Sequence, residues 1–344
     1  MTYHAPLIQC GQAIDADTTL TRDLDCRGIG TGPALVVGDP RFPGPGPVVL
    51  DLGGHTVRGP LTGTGVDFQT PGTVRDGTLR GFRTGVSVHA LDGHDQTTAE
   101  ATVSRLRIDD GTFGVYGTGV AAGVLVHVDH SSITRMTDSG VYVGTGYHGE
   151  MTVTDTTVTH SGEGVGGQLT NATLQRDVLT GNTFAGADVM ADAVTATGDT
   201  ITGNGRGLVV LTPVHDFDPY PPPGLPGGAV TITGNTVSAN TTGGIALLGR
   251  VAAGSVLSAD QASGNGSALT ADGLGGVGDG IAVVLDPPDA AAPDVSAADL
   301  AMTGNTARAN AAWGIDAPGV TDGGTNRASG NAPGEDCRGV TCTR

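Results

Sequence analysis

Apolar and polar positions alternate along this chain in short bursts separated by turns. Gly228 to Asn240 (GAVTITGNTVSAN) shows the unit: an alternating strand, a Gly-Asn turn, one more apolar position and a closing Asn. Val194–Asn204, Leu174–Asn182 and Leu300–Asn310 repeat it. The apolar residue three places before the closing Asn serves as a ruler. It falls on Val57, Leu79, Ile108, Ile133, Val158, Leu179, Ile201, Val237, Ala262, Ala307 and Ala328. Most steps are 21 to 25 residues, with longer ones of 29, 36 and 45. A modal step lengthened only by insertion marks a solenoid whose insertions map to loops. A second series begins GVDF at Gly65, GVSV at Gly85, GVYG at Gly114 and GVYV at Gly140, and runs on to GIDA at Gly314. Each member reads as a half-buried strand. No window carries a helical stripe longer than a turn or two.

Strands this short cannot pair within one coil of about 22 residues. They can pair with equivalent strands of the coils above and below, about 4.8 Å away. The predicted fold is all-β: a single-domain parallel β-helix of about eleven coils over 48–331. An N-terminal cap segment with the first turns (1–47) precedes it, and a tail with a local Cys pair (332–344) follows. Asn182, Asn204, Asn240, Asn265, Asn310 and Asn331 are expected to stack as a ladder at one turn. Asn and Gly adopt the left-handed geometry of such turns at low cost.

Val49 to Gly59 (VLDLGGHTVRG), followed by these Gly-Asn coils, resembles the right-handed parallel β-helix proteins of the pectate-lyase-like class. Within that class it looks like a bacterial group that opens with Cys10-Gly11-Gln12-Ala13-Ile14 and Leu24-Asp25-Cys26. The same group closes with Ala328 to Asn331, Cys337 and Cys342. The resemblance covers nearly the whole chain and implies architecture far more than chemistry. Lyases and epimerases of the class use Tyr, His and Asp sets, often with Arg, Lys or calcium. This chain has no Lys, no YGxDPH-like epimerase signature and no carboxylate cluster of the inverting-glycosidase kind.

Charge narrows the partners. The formal net charge is −18, and all seventeen basic residues are Arg. That balance disfavours nucleic acid and anionic membrane, which need a basic surface. No stretch approaches the roughly 20 apolar residues of a membrane span. The expected partner is a saccharide or small-molecule substrate. Met1 to Gln9 lacks the basic and apolar regions of a secretory leader, whereas the paired Cys suggest an oxidising compartment. Secreted and cytoplasmic readings therefore both stand.

The insertions locate candidate chemistry. His89–Glu100, Gly144–Glu150, Thr212–Gly227 and Leu285–Asp294 all follow a GIxV-type strand, so they should overhang one rim and wall a cleft. The rim carries His148 and His215 as candidate catalytic groups and Tyr147, Glu150, Asp216 and Tyr220 as candidate binding groups. His89 rides on it too. The outward position of each GIxV strand reads Asp67, Ser87, Tyr116, Tyr142, Gly166, Asp188, Val209, Ala246, Ala282 and Asp316. Tyr116, Tyr142 and Asp188 are the floor candidates. A stacked aromatic ladder shielding the sheet explains the two tyrosines almost as well. His160 and Glu163 read as surface residues of a turn.

These types suit proton transfer, which needs a base of matched pKa, an acid opposite it, and stabilisation of the developing charge. A lyase or isomerase/epimerase acting on a saccharide is the first expectation. A small-molecule cyclase or isomerase with a loop-lidded pocket is the second, and a non-catalytic carbohydrate-binding β-helix the third. No redox cofactor is implied. Calcium is the one cation left open: Asp286, Asp289 and Asp294 are its candidate ligands, although none has the spacing of a recognised loop.

Overall fold

The computed structural model describes residues 8–38, 46–89, 99–119, 123–144, 149–212, 227–266, 278–285, 296–332 and 336–344. They wind as a parallel β-helix with three sheets around one axis. The first sheet stacks, among others, Thr84–His89, Phe113–Thr118, Ser139–Gly144, the start of Glu163–Gln175, the start of Ala185–Thr197, and Arg206–Thr212. The second follows along the chain, with Val124–Asp129, Gly149–Thr154 and Ala229–Thr233 among its strands. The third holds strands such as Thr157–Thr159, Val178–Thr180 and Thr200–Thr202. The one described helical turn is a 3-10 segment, Ala297–Asp299.

Register confirms the repeat residue by residue. Each ruler position pairs with the next, from Val57–Leu79 through Ile133–Val158 to Ala307–Ala328. Leu24 pairs below Val57, adding a coil at the N-terminal end. The inward positions form one continuous aliphatic core. Val141, Val143, Met151, Val153 and Val158 of a single coil are all buried at or below 1 % exposure. Burying such a side chain contributes about 1.5–3 kcal/mol.

Two polar ladders close the corners. In the expected one, Ser161 N–H donates to Asn182 Oδ1 at 2.9 Å, Asn182 to Asn204 at 2.9 Å and Asn204 to Asn240 at 2.9 Å. Asn240, Asn265, Asn310 and Asn331 continue it. The second ladder, at the corner between the second and third sheets, is chemically mixed. It runs through Thr156, Asp177, Asp199, Asn235, Asp260, Asn305 and Asn326. Each amide at these corners would otherwise be a buried, unpaired donor, and each side chain removes that cost.

The aspartates make the second ladder pH-sensitive. Asn235 and Asn305 turn their Nδ2 groups onto the carbonyls of Ala196 and Leu257. A carboxyl oxygen in that place can donate only if it is protonated. Asp199 Oδ2 and Asp260 Oδ2 are buried without a partner. Burial pushes Asp177 up to about 8, and Asp199 and Asp260 up to about 7.

Disulfides tie the ends. Cys10–Cys26 joins the segment before the first strand of the first sheet to the residue after Leu24–Asp25 of the third, with Cα atoms 5.5 Å apart. Cys337–Cys342 links the last strands of the same two sheets, with Cα atoms 6.2 Å apart. Both pairs close locally, as their spacing suggested.

Two outcomes are expected. The raised carboxyl pKa values favour the fold in mild acid, and that contribution is lost as pH rises from about 4 towards about 7–8. Asp260→Asn should therefore stabilise by on the order of 1–3 kcal/mol at pH 8, with little gain near pH 4. Urea melts across that range check it, and an unchanged or larger gain in acid would refute the assignment. Replacing Cys10 and Cys26 together by Ser should cost about 3 kcal/mol, the loop-closure value for a span of this length. Thermal melts with and without reductant measure it.

Candidate active site

On the first sheet the outward column is as the alternation implied. Asp67, Ser87, Tyr116, Tyr142, Gly166, Asp188 and Val209 lie side by side in consecutive coils. The rings of Tyr116 and Tyr142 stack with centroids 5.9 Å apart and planes 11° from parallel. Phe113 packs against them, 4.7 Å from Tyr116 and 6.4 Å from Tyr142. The stacked aromatic pair is therefore real, and it borders an ionisable cluster.

That cluster contains residues the sequence reading set aside. A second outward column lies three residues earlier: Phe113, Ser139, Glu163, Ala185 and Arg206. Each of these residues precedes the Gly that opens a GIxV strand. Those glycines stack so tightly that a Cβ on Gly164 would lie 2.2 Å from Gly186 O, and one on Gly207 2.2 Å from Gly244 O. The preceding residue consequently shares the face of the residue three places on, where simple alternation would separate them. The repeated x-Gly-apolar triplet was the available signal.

Glu163 is the centre of the cluster. It opens a first-sheet strand and is half-buried, which corrects its reading as a surface turn residue. Its carboxyl fills the space left by Gly166: a Cβ there would sit 2.0 Å from Glu163 Oε2. Gly166 pairs with Asp188, so the Glu163 carboxyl and Asp188 belong to neighbouring coils of the same face, and the Asp188 charge acts on Glu163. A carboxylate pair thus exists that was not legible in the chain. Ser139 Oγ, itself buried, lies 3.1 Å from Glu163 Oε2 and 2.9 Å from Asp138 Oδ1. Burial, then the Asp188 charge, pushes Glu163 up to about 8.

The neighbours complete the electrostatics. Arg206 Nη1 is 3.4 Å from Asp188 Oδ2. Its guanidinium lies over the Phe184 ring at 4.6 Å, a cation–π contact that fixes its direction. Burial and the nearby Glu163 raise the Tyr142 phenol above its usual range. Tyr142 therefore keeps its proton at neutral pH and can donate a hydrogen bond. Its ring lies over Gly144, where a Cβ would be 2.7 Å from a ring carbon.

Two coils towards the N-terminus, the same face carries a polar group. Ser87 Oγ is hydrogen-bonded to His89 Nε2, Gln69 donates to Asp67 at 2.6 Å, and His89 Nε2 is 3.8 Å from Asp67 Oδ1. Glu150 does not join the cluster. It lies exposed on the second sheet and accepts from Asn171 Nδ2 at 3.0 Å. His148, His215, Tyr147, Asp216 and Tyr220 lie outside the described residues. Among the described residues no three His, Cys, Asp or Glu side chains are grouped to hold a metal. A hollow of about 380 Å³ lies elsewhere, beside the first coil, lined by residues such as Gln12, Ile14, Asp15 and Thr18.

The profile of the right-handed β-helix region matches residues 113–285, half of the chain and the whole of the cluster just described. The chain belongs to the right-handed β-helix family. No curated protein sequence matches it. Among solved structures, DFA-IIIase from Arthrobacter chlorophenolicus A6, solved in complex with GF2, is 16 % identical, with TM-score 0.40 over 91 % of this chain and 74 % of that one. The A-module of the Azotobacter vinelandii mannuronan C-5 epimerase AlgE6 is 14 % identical, with TM-score 0.41 over 97 % and 92 %. Bacteriophage CBA120 tailspike protein 3 is 10 % identical, with TM-score 0.32 over 95 % and 55 %. Similarity at this level transfers no residue roles to this β-helix.

The electrostatic reading has a substrate-free check. With carbon-13 in the Glu side chains, Glu163 should titrate near pH 8, and Asp188→Asn should lower that midpoint by removing the neighbouring charge. A midpoint in the ordinary carboxyl range in the parent protein would show that the cluster is not formed.

Proposed function

We propose that this β-helix protein is an enzyme that acts on a saccharide by general acid–base chemistry on the outward face of its first sheet. One observation carries the reading: Glu163, pushed up to about 8, sits on that face between Tyr142 and Asp188. A carboxylic acid that keeps its proton at neutral pH is suited to protonating a leaving or developing oxygen. Sugars offer the matching surface, with C–H faces for Phe113, Tyr116 and Tyr142 and hydroxyls for Gln69 and Asp67.

In this assignment Glu163 moves the proton, and Tyr142 donates a hydrogen bond to the reacting sugar. Asp188, oriented by Arg206, supplies the fixed negative charge. Tyr116 and Phe113 form the platform. His148 and His215 remain proposed members on the adjoining loops, with Tyr147, Asp216 and Tyr220. Glu150, on the second sheet, is proposed to contact a substrate that extends round the corner.

Glu163→Gln should lower turnover about 10²–10⁴-fold, and Tyr142→Phe should lower it less. His55→Ala, remote from the face, should leave it unchanged. Because the acid form is active, kcat/KM should fall above about pH 8. Product formation is followed on a panel of oligosaccharides by mass spectrometry. Near-normal turnover by Glu163→Gln would refute the assignment.

A further inference from the structure

The first-sheet face differs on the two sides of the Glu163 cluster, and the difference gives a bound saccharide a direction and a charge class. This step rests on the acid–base reading above. Towards the N-terminus, the outward column through Gly166 continues as Tyr142, Tyr116, Ser87 and Asp67. The Ser87 backbone is three coil steps from Gly166, roughly 14 Å at about 4.8 Å per step. Towards the C-terminus the face turns aliphatic. Val209, Ala246 and Ala282 follow Asp188 in the column, and Leu211, Leu248 and Val284 stand two residues further along the same strands. Those side chains have no group that bonds a hydroxyl.

The far end of the polar side is assembled as a binding group. The Asp67 side chain is 14 % exposed, and His89 Nε2 lies 3.8 Å from its Oδ1. Its Oδ2 accepts from Gln69 Nε2 at 2.6 Å. Ser87, buried beneath, is hydrogen-bonded to the same His89 nitrogen and holds that ring. A carboxylate has about four lone-pair sites, so one bond from Gln69 leaves Asp67 able to accept from sugar hydroxyls. Between this group and Glu163 stand the rings of Phe113, Tyr116 and Tyr142, a surface for the C–H faces of sugars.

The cations decide the charge class. Arg206 is the one guanidinium in the described outward columns from Asp67 to Val209, and it faces Asp188. Segments 90–98, 145–148 and 213–226, which follow first-sheet strands in the chain, hold four Asp and three His but no Arg, and the chain has no Lys. A uronic acid laid on this face would set its carboxylates against Asp67, Asp138 and Asp188, and like charges brought together are disfavoured. A neutral sugar meets no such penalty.

We propose that this face takes a neutral saccharide several rings long, laid along the solenoid axis from Glu163 towards the N-terminus, with Asp67, Gln69 and His89 holding a ring remote from the reacting one. The aromatic side chains carry the rings between. Selectivity for chain length is thus set three coils from the acid, and selectivity against charge by the face as a whole.

The test measures kcat and KM of the full chain on neutral gluco-, manno-, xylo-, galacto- and fructo-oligosaccharides graded in length, and in parallel on oligogalacturonates and oligomannuronates. Turnover confined to the neutral series, with kcat/KM rising with length to a plateau, is expected. Asp67→Ala should lower kcat/KM at least about 10-fold more on plateau-length chains than on the shortest chain turned over, the equivalent of one hydrogen bond to a charged group. Gln69→Ala should show the same pattern with a smaller loss. Both losses should fall in KM rather than kcat, as for binding made equally in the ground and transition states. A folding defect would instead lower turnover alike at every length. Losses independent of length in both variants, no rise of kcat/KM with length in the parent, or equal turnover of the uronates would overturn this inference while leaving acid–base action on a saccharide standing. Near-normal turnover by Glu163→Gln, or no change in any saccharide, would overturn both.

Discussion

Backbone amides at the corners of each coil have no partner within their own coil, and the fold depends on how they are satisfied. Parallel pairing uses the strand amides. At the corners, a side chain from the next coil must reach back, and Asn does so with its oxygen while its Nδ2 caps a carbonyl. One residue therefore settles three groups at each step. The arrangement propagates, because each Asn is positioned by the one above it. A break at one coil would leave buried donors in its neighbours, which favours a uniform register over hundreds of residues.

Uniform register is also what builds the candidate site. Phe113, Tyr116, Ser139, Tyr142, Glu163, Asp188 and Arg206 span nearly one hundred residues of sequence but only five consecutive coils. Stacking brings them within a few strand spacings of each other. The glycines then decide what each side chain can do. Gly166 lets Glu163 lie flat beside Asp188, and Gly144 accepts the Tyr142 ring. With larger residues there, both groups would be lifted towards solvent, and the burial that raises the Glu163 pKa would lessen.

Carboxyls appear in two settings that differ in their consequences. Asp177, Asp199 and Asp260 are built into a corner ladder, where an Asn would do as well or better. Glu163 has comparable burial cost but faces outward, next to a second acid and an aromatic platform. Burial accounts for the shift in both. Only the second setting leaves the proton within reach of a bound molecule, which separates a structural carboxyl from a functional candidate.

The repeat itself was legible because it is a one-dimensional signal. Ruler residues from Val57 to Ala328 pair in register as their spacing requires, and the Asn ladder stands where the closing Asn recurs. Alternation likewise placed Tyr116, Tyr142 and Asp188 on one column, since side chains of a strand change face at every residue. Glu163 and Arg206 escaped that rule. The backbone at each stacked glycine puts residues three apart on the same face, a consequence of close contact between coils that no single coil displays. The raised pKa of Glu163 had no sequence signature either. It arises from burial against residues of neighbouring coils, and those neighbours are defined only once the chain has wound upon itself.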